Sequence, residues 1–393
     1  MTAPVRIALV AGEASGDLLG SYLIEALKQH LPAARFHGIG GPKMETAGLA
    51  VDWPAEKLSV RGYAEVLRHY REIAKIRRAL LKRLLADPPD VFIGIDAPDF
   101  NLWLETRLKA SGVVTVHFVS PSLWAWRGGR IRSIARAVDQ ILCLFPFEPA
   151  IYTRQGIEAR YVGHPLADVI PLEPSQEVFR ERLNLPQDAL VFALLPGSRQ
   201  SELQYMAETF IETAKRLHQR FPQARLLVPL VSRETRTQFE NELWRLGAQE
   251  LPITLLFGHA HDAMGSADAV LVASGTATLE AALFKKPMVI CYKMSPWSWR
   301  LMRRMKYQPW VGLPNILAGR FVVPEFLQDD ATPENLAQAL GNLVGDQLIG
   351  KRLKALFSAL HVELRQNTAE QAAQAILPVL RGRQAPDAAP AAT

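Results

Sequence analysis

Cysteine is scarce in this sequence, and several common signatures are missing altogether. The 393 residues include two cysteines, Cys143 and Cys291. That is too few for a disulfide framework and fits a reducing compartment. No Cys/His cluster has the spacing of a zinc site. Met1 to Val10 lacks the charged start, long apolar core and cleavage site of a signal peptide. No apolar run approaches the roughly 18 residues that a membrane-spanning helix needs. No Asp-x-Asp occurs, so the clustered carboxylates that commonly hold a metal beside a sugar diphosphate are absent, and metal independence is expected. What is present is ordinary for a folded chain: 49% apolar and 21% charged residues exclude a disordered or fibrous protein. Forty-five basic against 39 acidic residues leave a net charge of +6, which permits an anionic partner such as phosphate, a membrane surface or nucleic acid.

The length suggests two domains. In the first half, apolar runs at 5–10, 91–95, 113–119 and 138–144 alternate with helical patterns, of which 16–31 is the clearest, with Leu19, Leu23, Ile24 and Leu27 on one face. That alternation predicts βαβ units on a parallel sheet. Gly163, Pro165, Pro171 and Pro174 punctuate a linker. The second half repeats the pattern, with strands expected at 190–195, 225–229, 253–257, 269–273 and 288–292 and helices at 203–220, 234–246 and 276–284. The expected organisation is a first domain over 1–165, a second over 166–365, and a C-terminal helix with a disordered tail over 366–393. Two doubly wound α/β domains with a cleft between them would bind ligands beyond the carboxyl ends of their strands.

The strand-to-helix turns therefore matter most. Gly12-Glu13-Ala14-Ser15-Gly16 can bring backbone N–H groups and a helix N-terminus to an anion or a sugar, although Ser15 or Asp17 could equally be an N-cap. In Asp96-Ala97-Pro98-Asp99, Asp96 falls where a general base would face the cleft, and Asp99 reads as the N-cap of the next helix. Trp124 and Trp126 stand in a Pro/Ser loop, where each indole N–H seeks a polar partner. Pro196-Gly197-Ser198-Arg199 offers backbone donors and a guanidinium fork to a diphosphate. Ser274-Gly275-Thr276 opens a helix whose N-terminus can bind phosphate, and Glu280, one turn further, can accept from both hydroxyls of a ribose.

Two basic stretches complete the pattern. From Arg61 to Leu85 eight basic residues accompany two acidic ones, and from Ala281 to Pro324 eight basic residues accompany none. The first surrounds an apolar stripe in which Val66, Leu67 and Tyr70 are expected to meet a membrane and Ile76 onward to be core. The second carries Trp297, Trp299 and Trp310 among arginines, a mixture suited to headgroup depth. No RNA- or DNA-reading motif accompanies them, so nucleic acid is not an expected partner.

Taken in order, Ala11–Asp17, Ile95–Asn101, Pro121–Trp126, Leu195–Arg199, Ala273–Glu280 and Leu313-Pro314-Asn315 resemble the lipid-A-disaccharide synthase family over nearly the whole chain. The resemblance implies a GT-B glycosyltransferase, with two Rossmann-like domains facing a central cleft. It implies transfer from UDP-2,3-diacylglucosamine to 2,3-diacylglucosamine 1-phosphate, giving the β-1,6-linked lipid A disaccharide 1-phosphate and UDP, in Gram-negative lipid A assembly. It implies Asp96 as base, with Glu13 and Ser15 near the reacting sugar. Arg199, Ser198, Ser274, Gly275 and Thr276 would hold the diphosphate, Glu280 the ribose, and Asn315 would reach the cleft. No cofactor is implied. The place implied is the inner face of the cytoplasmic membrane, bound peripherally; a homodimer is compatible with the sequence. Two rivals carry different chemistry: another GT-B enzyme, such as a UDP-N-acetylglucosamine 2-epimerase or a muramyl-lipid glycosyltransferase, and a non-enzymatic basic membrane-surface protein.

Overall fold

The computed structural model describes residues 4–58, 63–121, 131–305 and 309–384; the side chains of residues 56, 63–70, 301, 303–305 and 381–384 lie outside that description. The chain divides into two compact units. One comprises Met1–Asp168 together with the chain from Leu364 onward, and the other Val169–Glu363.

The first unit is built on a sheet of seven strands: β1 (Arg6–Ala11), β2 (Arg35–Gly40), β3 (Leu49–Pro54), β4 (Val91–Ile95), β5 (Val114–Phe118), β6 (Gln140–Cys143) and β7 (Glu158–Tyr161). All pair in parallel, in the order β3-β2-β1-β4-β5-β6-β7. Helices cover both faces, which is why the central strands read as continuous apolar runs. Alternate residues of β1 point opposite ways. Ile7 and Leu9 meet Leu19, Leu23, Ile24 and Leu27 of the helix Ala14–His30. Ala8 and Val10 meet Ile76, Leu80 and Leu84 of the helix Tyr63–Ala86, with Phe100, Leu104 and Leu108 of the helix Pro98–Ala110. Ile76 onward is therefore core, as the sequence predicts, whereas the side chains of Val66, Leu67 and Tyr70 lie outside the described residues.

The helix Thr368–Gln384 is part of this first unit rather than a separate segment. Ala372, Ile376 and Leu380 recur every fourth residue and pack into the same core as Leu23 and Leu27. The Asp168 carboxylate accepts the N–H groups of Asn367 and Thr368 at 2.9 and 2.7 Å, which fastens the start of that helix. The helix also carries the chain three residues past Arg381, where the sequence suggests a disordered tail; the rest of that tail lies outside the described residues.

The second unit has six parallel strands: β8 (Val191–Leu195), β9 (Arg225–Leu230), β10 (Ile253–Phe257), β11 (Ala269–Ala273), β12 (Met288–Tyr292) and β13 (Glu325–Leu327), in the order β10-β9-β8-β11-β12-β13. Both sheets run outward from their first strand, then return to place the fourth strand on that strand's other side. The direction of winding thus reverses between β1 and β4 and again between β8 and β11, and crevices for ligands open at such points.

Candidate active site

At the first reversal Ala11 of β1 pairs with Ile95 of β4, so the two following turns lie side by side. They approach closely: a Cβ on Gly12 would be 3.1 Å from that of Ala97. Glu13 occupies the N-cap position of Ala14–His30 without a side-chain capping bond, and both Glu13 and Ser15 are exposed at the turn. Ser15 is therefore not the cap. Asp17 is a structural residue of another kind. It is buried, and its carboxylate accepts from Gly41, Met44 and Lys43 N–H at 2.8, 3.0 and 3.1 Å, capping the neighbouring helix Pro42–Ala47.

Asp96 follows β4 with its backbone in the left-handed region, φ +53°, and Ala97 continues there at +42°. Two consecutive non-glycine residues in that region are strained, and surrounding bonds must hold them. The Asp96 N–H donates to Phe118 O at 2.9 Å, and its carbonyl accepts from the Asn101 side chain at 2.8 Å. The side chain is half-buried. Asp99 is not the N-cap: Ala97 holds that position, Pro98 begins the helix, and Asp99 is exposed in the first turn, where its charge meets the helix dipole. Trp124 and Trp126 lie outside the described residues.

At the second reversal Leu195 of β8 pairs with Val272 of β11. The turn after β8 leads into the helix Gln200–Arg220, and Gly197 at φ +127° has no room for a side chain, since a Cβ would lie 2.8 Å from that of Glu202. The donors expected to be open there are occupied. Glu202 accepts from Ser198 and Arg199 N–H at 2.9 and 3.2 Å and from the Arg199 guanidinium at 3.2 Å. The turn thus has the polarity of an anion site and holds a carboxylate of its own chain, while the Arg199 side chain stays largely exposed. Tyr292, at the end of β12, shares this environment: burial raises its pKa, with Glu202 adding to the rise and Arg199 opposing it.

Across the reversal, Gly275 is the N-cap of the helix Thr276–Leu283. Gly275 and Thr276 are exposed; Thr278 N–H turns back to Gly275 O at 3.1 Å, so the first-turn donors left open to a ligand are those of Thr276 and Ala277. Ser274 is more committed: its N–H donates to Cys291 O and its hydroxyl to Val311 O, both at 3.1 Å. Glu280 is half-buried on the same helix, its carboxylate 3.5 Å from Nε2 of His261. That hydrogen bond raises the His261 pKa against the opposing effect of burial, and the ring packs on Phe284 with centroids 5.2 Å apart. Neither His261 nor Glu202 stands out in the sequence; a histidine pair flanking Ala260 after β10 was the one available signal.

Asn315 does not reach out as a free amide. It is fully buried; its Nδ2 donates to Val323 O and Glu325 Oε1 at 2.9 and 2.8 Å, and its Oδ1 accepts from Val322 and Val323 N–H at 2.7 and 2.9 Å. With Glu325, which also accepts from Val311 and Gly312 N–H, it locks the turn that abuts Ser274. Among the described residues no group of three or more His, Cys, Asp or Glu side chains is arranged to hold a metal ion. Trp297 is 80% exposed with the Arg300 guanidinium 6.0 Å from its ring centroid, and Trp299 is half-buried.

Two sets of residues therefore lie on the turns and helices that follow the strands at the reversals: Glu13, Ser15 and Asp96 at one, and Ser198, Arg199, Gly275, Thr276 and Glu280 at the other. Known proteins share both fold and sequence with this chain. Solved structures of the same fold include the UDP-N-acetylglucosamine 2-epimerase of Neisseria meningitidis bound to UDP-GlcNAc, with a TM-score of 0.64 at 11% identity, covering 96% of this chain and 100% of that one. They also include the calicheamicin glycosyltransferase CalG4, with a TM-score of 0.58 at 16% identity, covering 98% and 100%. These place both units in the GT-B fold and, at such low identity, leave the reaction open. Sequence decides it. The lipid-A-disaccharide synthase of Dechloromonas aromatica is 61% identical over 97% of this chain and 100% of its own length. That of Aromatoleum aromaticum is 60% identical over 95% and 96%. The family model described as lipid-A-disaccharide synthetase matches residues 7–376. The chain belongs to the lipid-A-disaccharide synthase family and is a glycosyltransferase of lipid A biosynthesis.

Proposed function

We propose that the chain joins UDP-2,3-diacylglucosamine to 2,3-diacylglucosamine 1-phosphate with Asp96 as the general base and the second unit as the holder of UDP. The observation that carries this reading is the placement of the charged residues, with a carboxylate at the reversal of the first sheet and a guanidinium and two helix N-termini at that of the second. Asp96 takes the proton of the acceptor 6-hydroxyl; O6 bonds to C1 of the donor sugar as the C1–O bond to the diphosphate breaks, and UDP departs. One in-line displacement converts an α-linked donor to a β-linked product, so no covalent enzyme intermediate is required. Glu13 and Ser15 line the turn beside the base.

Arg199 and the N-terminus of Thr276–Leu283 stabilise the leaving diphosphate, which exchanges with the Glu202 carboxylate at Ser198 and Arg199. Glu280 accepts from the ribose hydroxyls. Because the sequence has no Asp-x-Asp, these groups carry the charge without a metal. Both substrates bear acyl chains, and no helix among the described residues is long and apolar enough to cross a membrane. We place the protein on the membrane surface, held by Val66, Leu67 and Tyr70 among the basic residues of the first half of Tyr63–Ala86 and by Trp297 and Trp299. Mass spectrometry of the product from a synthetic diacyl donor and acceptor tests the reaction. A β-1,6 disaccharide 1-phosphate is expected; consumption of UDP-N-acetylglucosamine without acceptor would instead support an epimerase.

A further inference from the structure

Directly beneath the Asp96 turn lies a buried polar cluster that the reaction, as described, does not use. Asn101, in the first turns of Pro98–Ala110, is 0% exposed. Its Nδ2 lies 2.8 Å from Asp96 O, 3.3 Å from Val10 O and 3.4 Å from Ile95 O. One amide therefore gathers the ends of β1 and β4 and the carbonyl of Asp96 itself. The N–H of Asp96 is held from the other side by Phe118 O of β5. Both backbone polar groups of Asp96 are thus tied down where Asp96 and Ala97 adopt left-handed conformations that non-glycine residues disfavour. One helical turn beyond Asn101, on the same face, Glu105 accepts or shares a proton with His117 Nδ1 of β5 at 2.7 Å, and both side chains are fully buried. Burial raises the Glu105 pKa while His117 opposes the rise. Gly94 of β4 makes room for this pair of polar residues: a Cβ there would fall 2.2 Å from Glu105 Oε1 and 2.8 Å from the Asn101 Cβ.

Buried polar side chains are costly unless they specify something, and this cluster sits against the one turn whose geometry sets the direction of the base. We infer that Asn101 is a positioning residue for the Asp96 carboxylate: its amide, tied to the ends of β1 and β4, holds the strained Asp96-Ala97 turn in the orientation that aims the base. Asn101 is fully covered and acts only through the Asp96 backbone. The inference rests on the reading of Asp96 as the base.

The test compares Asn101→Ala, Asp96→Asn and the double variant in the full-length protein, using synthetic diacyl substrates in detergent. Asn101→Ala should lower kcat by about 10- to 100-fold, the scale of a misplaced reacting group, with the donor KM and UDP affinity unchanged. Because Asn101 works through Asp96, the double variant should be no slower than Asp96→Asn alone. If the two effects multiply, Asn101 serves folding in general and the inference is wrong. A normal kcat in folded Asn101→Ala, beside a slow Asp96→Asn, also overturns it. A normal Asp96→Asn removes the base assignment instead. Should Asn101→Ala fail to fold, Asn101→Asp keeps the volume but replaces the donor with an acceptor facing three carbonyls. It should show the same loss of kcat at unchanged KM, and wild-type kcat there would likewise overturn the proposal.

Discussion

Truncating Glu280 gives a prediction whose size follows from its surroundings. A hydrogen bond to a charged group contributes about 1.5–3 kcal/mol, and a carboxylate at this position can accept two from a ribose. Glu280 is half-buried rather than sealed, and His261 stands 3.5 Å away as a competing partner, so the two bonds together should count for no more than about 3 kcal/mol, the sum of two at their weakest. A loss of about 2–3 kcal/mol corresponds to roughly 30- to 150-fold weaker UDP binding in Glu280→Ala. Isothermal titration with UDP and with 2′,3′-dideoxy-UDP separates this effect from any disturbance of the helix. The wild-type protein should lose a comparable factor when the hydroxyls are removed, whereas Glu280→Ala should bind both nucleotides alike. Glu280→Gln, which keeps one acceptor, should fall between. If Glu280→Ala binds UDP within twofold of wild type, or still distinguishes the two nucleotides, the ribose assignment is wrong.

Other outcomes follow from the same geometry. The His261 pKa is raised by Glu280, so their ion pair is present below that raised value and lost as pH climbs through it; UDP affinity should therefore tighten with rising pH, and His261→Gln should remove that dependence. Asp262 also faces His261 and adds to the rise, so Asp262→Asn should shift the transition to lower pH without abolishing it. Asn315→Ala strands one buried and one partly buried N–H and removes a partner of Glu325, a cost of about 2–3 kcal/mol; calorimetry should show a clearly lower Tm, with donor KM unchanged below it. EDTA should leave turnover intact, and full loss restored by magnesium would overturn the metal-free account. Trp297→Ser, at an exposed site, should weaken flotation with anionic vesicles while sparing activity on detergent-dispersed substrate.

The parts of the fold that were legible are those where burial on both faces forces an unbroken apolar run, as in Val91–Ile95, Val191–Leu195 and Ala269–Ala273. β2, β3, β7 and β13 escaped notice. Arg35–Gly40 contains two glycines, Leu49–Pro54 an aspartate and a proline, and the other two are short and half-buried at sheet edges, so pairing with neighbours makes them strands. The candidate site followed a similar line. Turns at strand ends could be read because glycine, small hydroxyl residues and a charge occur together there. The capture of Ser198 N–H by Glu202, the burial of Asn315 and the partnership of His261 with Glu280 depend on which distant segments meet, which no local spacing encodes. The C-terminal helix is the same case: a helix is expected from the sequence, but not the core of the first unit into which it packs.

The central claim is that Asp96 removes the proton from the acceptor while the second unit holds UDP. Single-turnover formation of the disaccharide by Asp96→Asn, measured at saturating donor and acceptor beside UDP titration of the same preparation, tests it most directly. The substitution keeps size and nearly all packing but removes basicity, so the rate should fall at least about 10²-fold with UDP affinity unchanged. A folded Asp96→Asn protein that forms product at a near-normal rate would contradict the account.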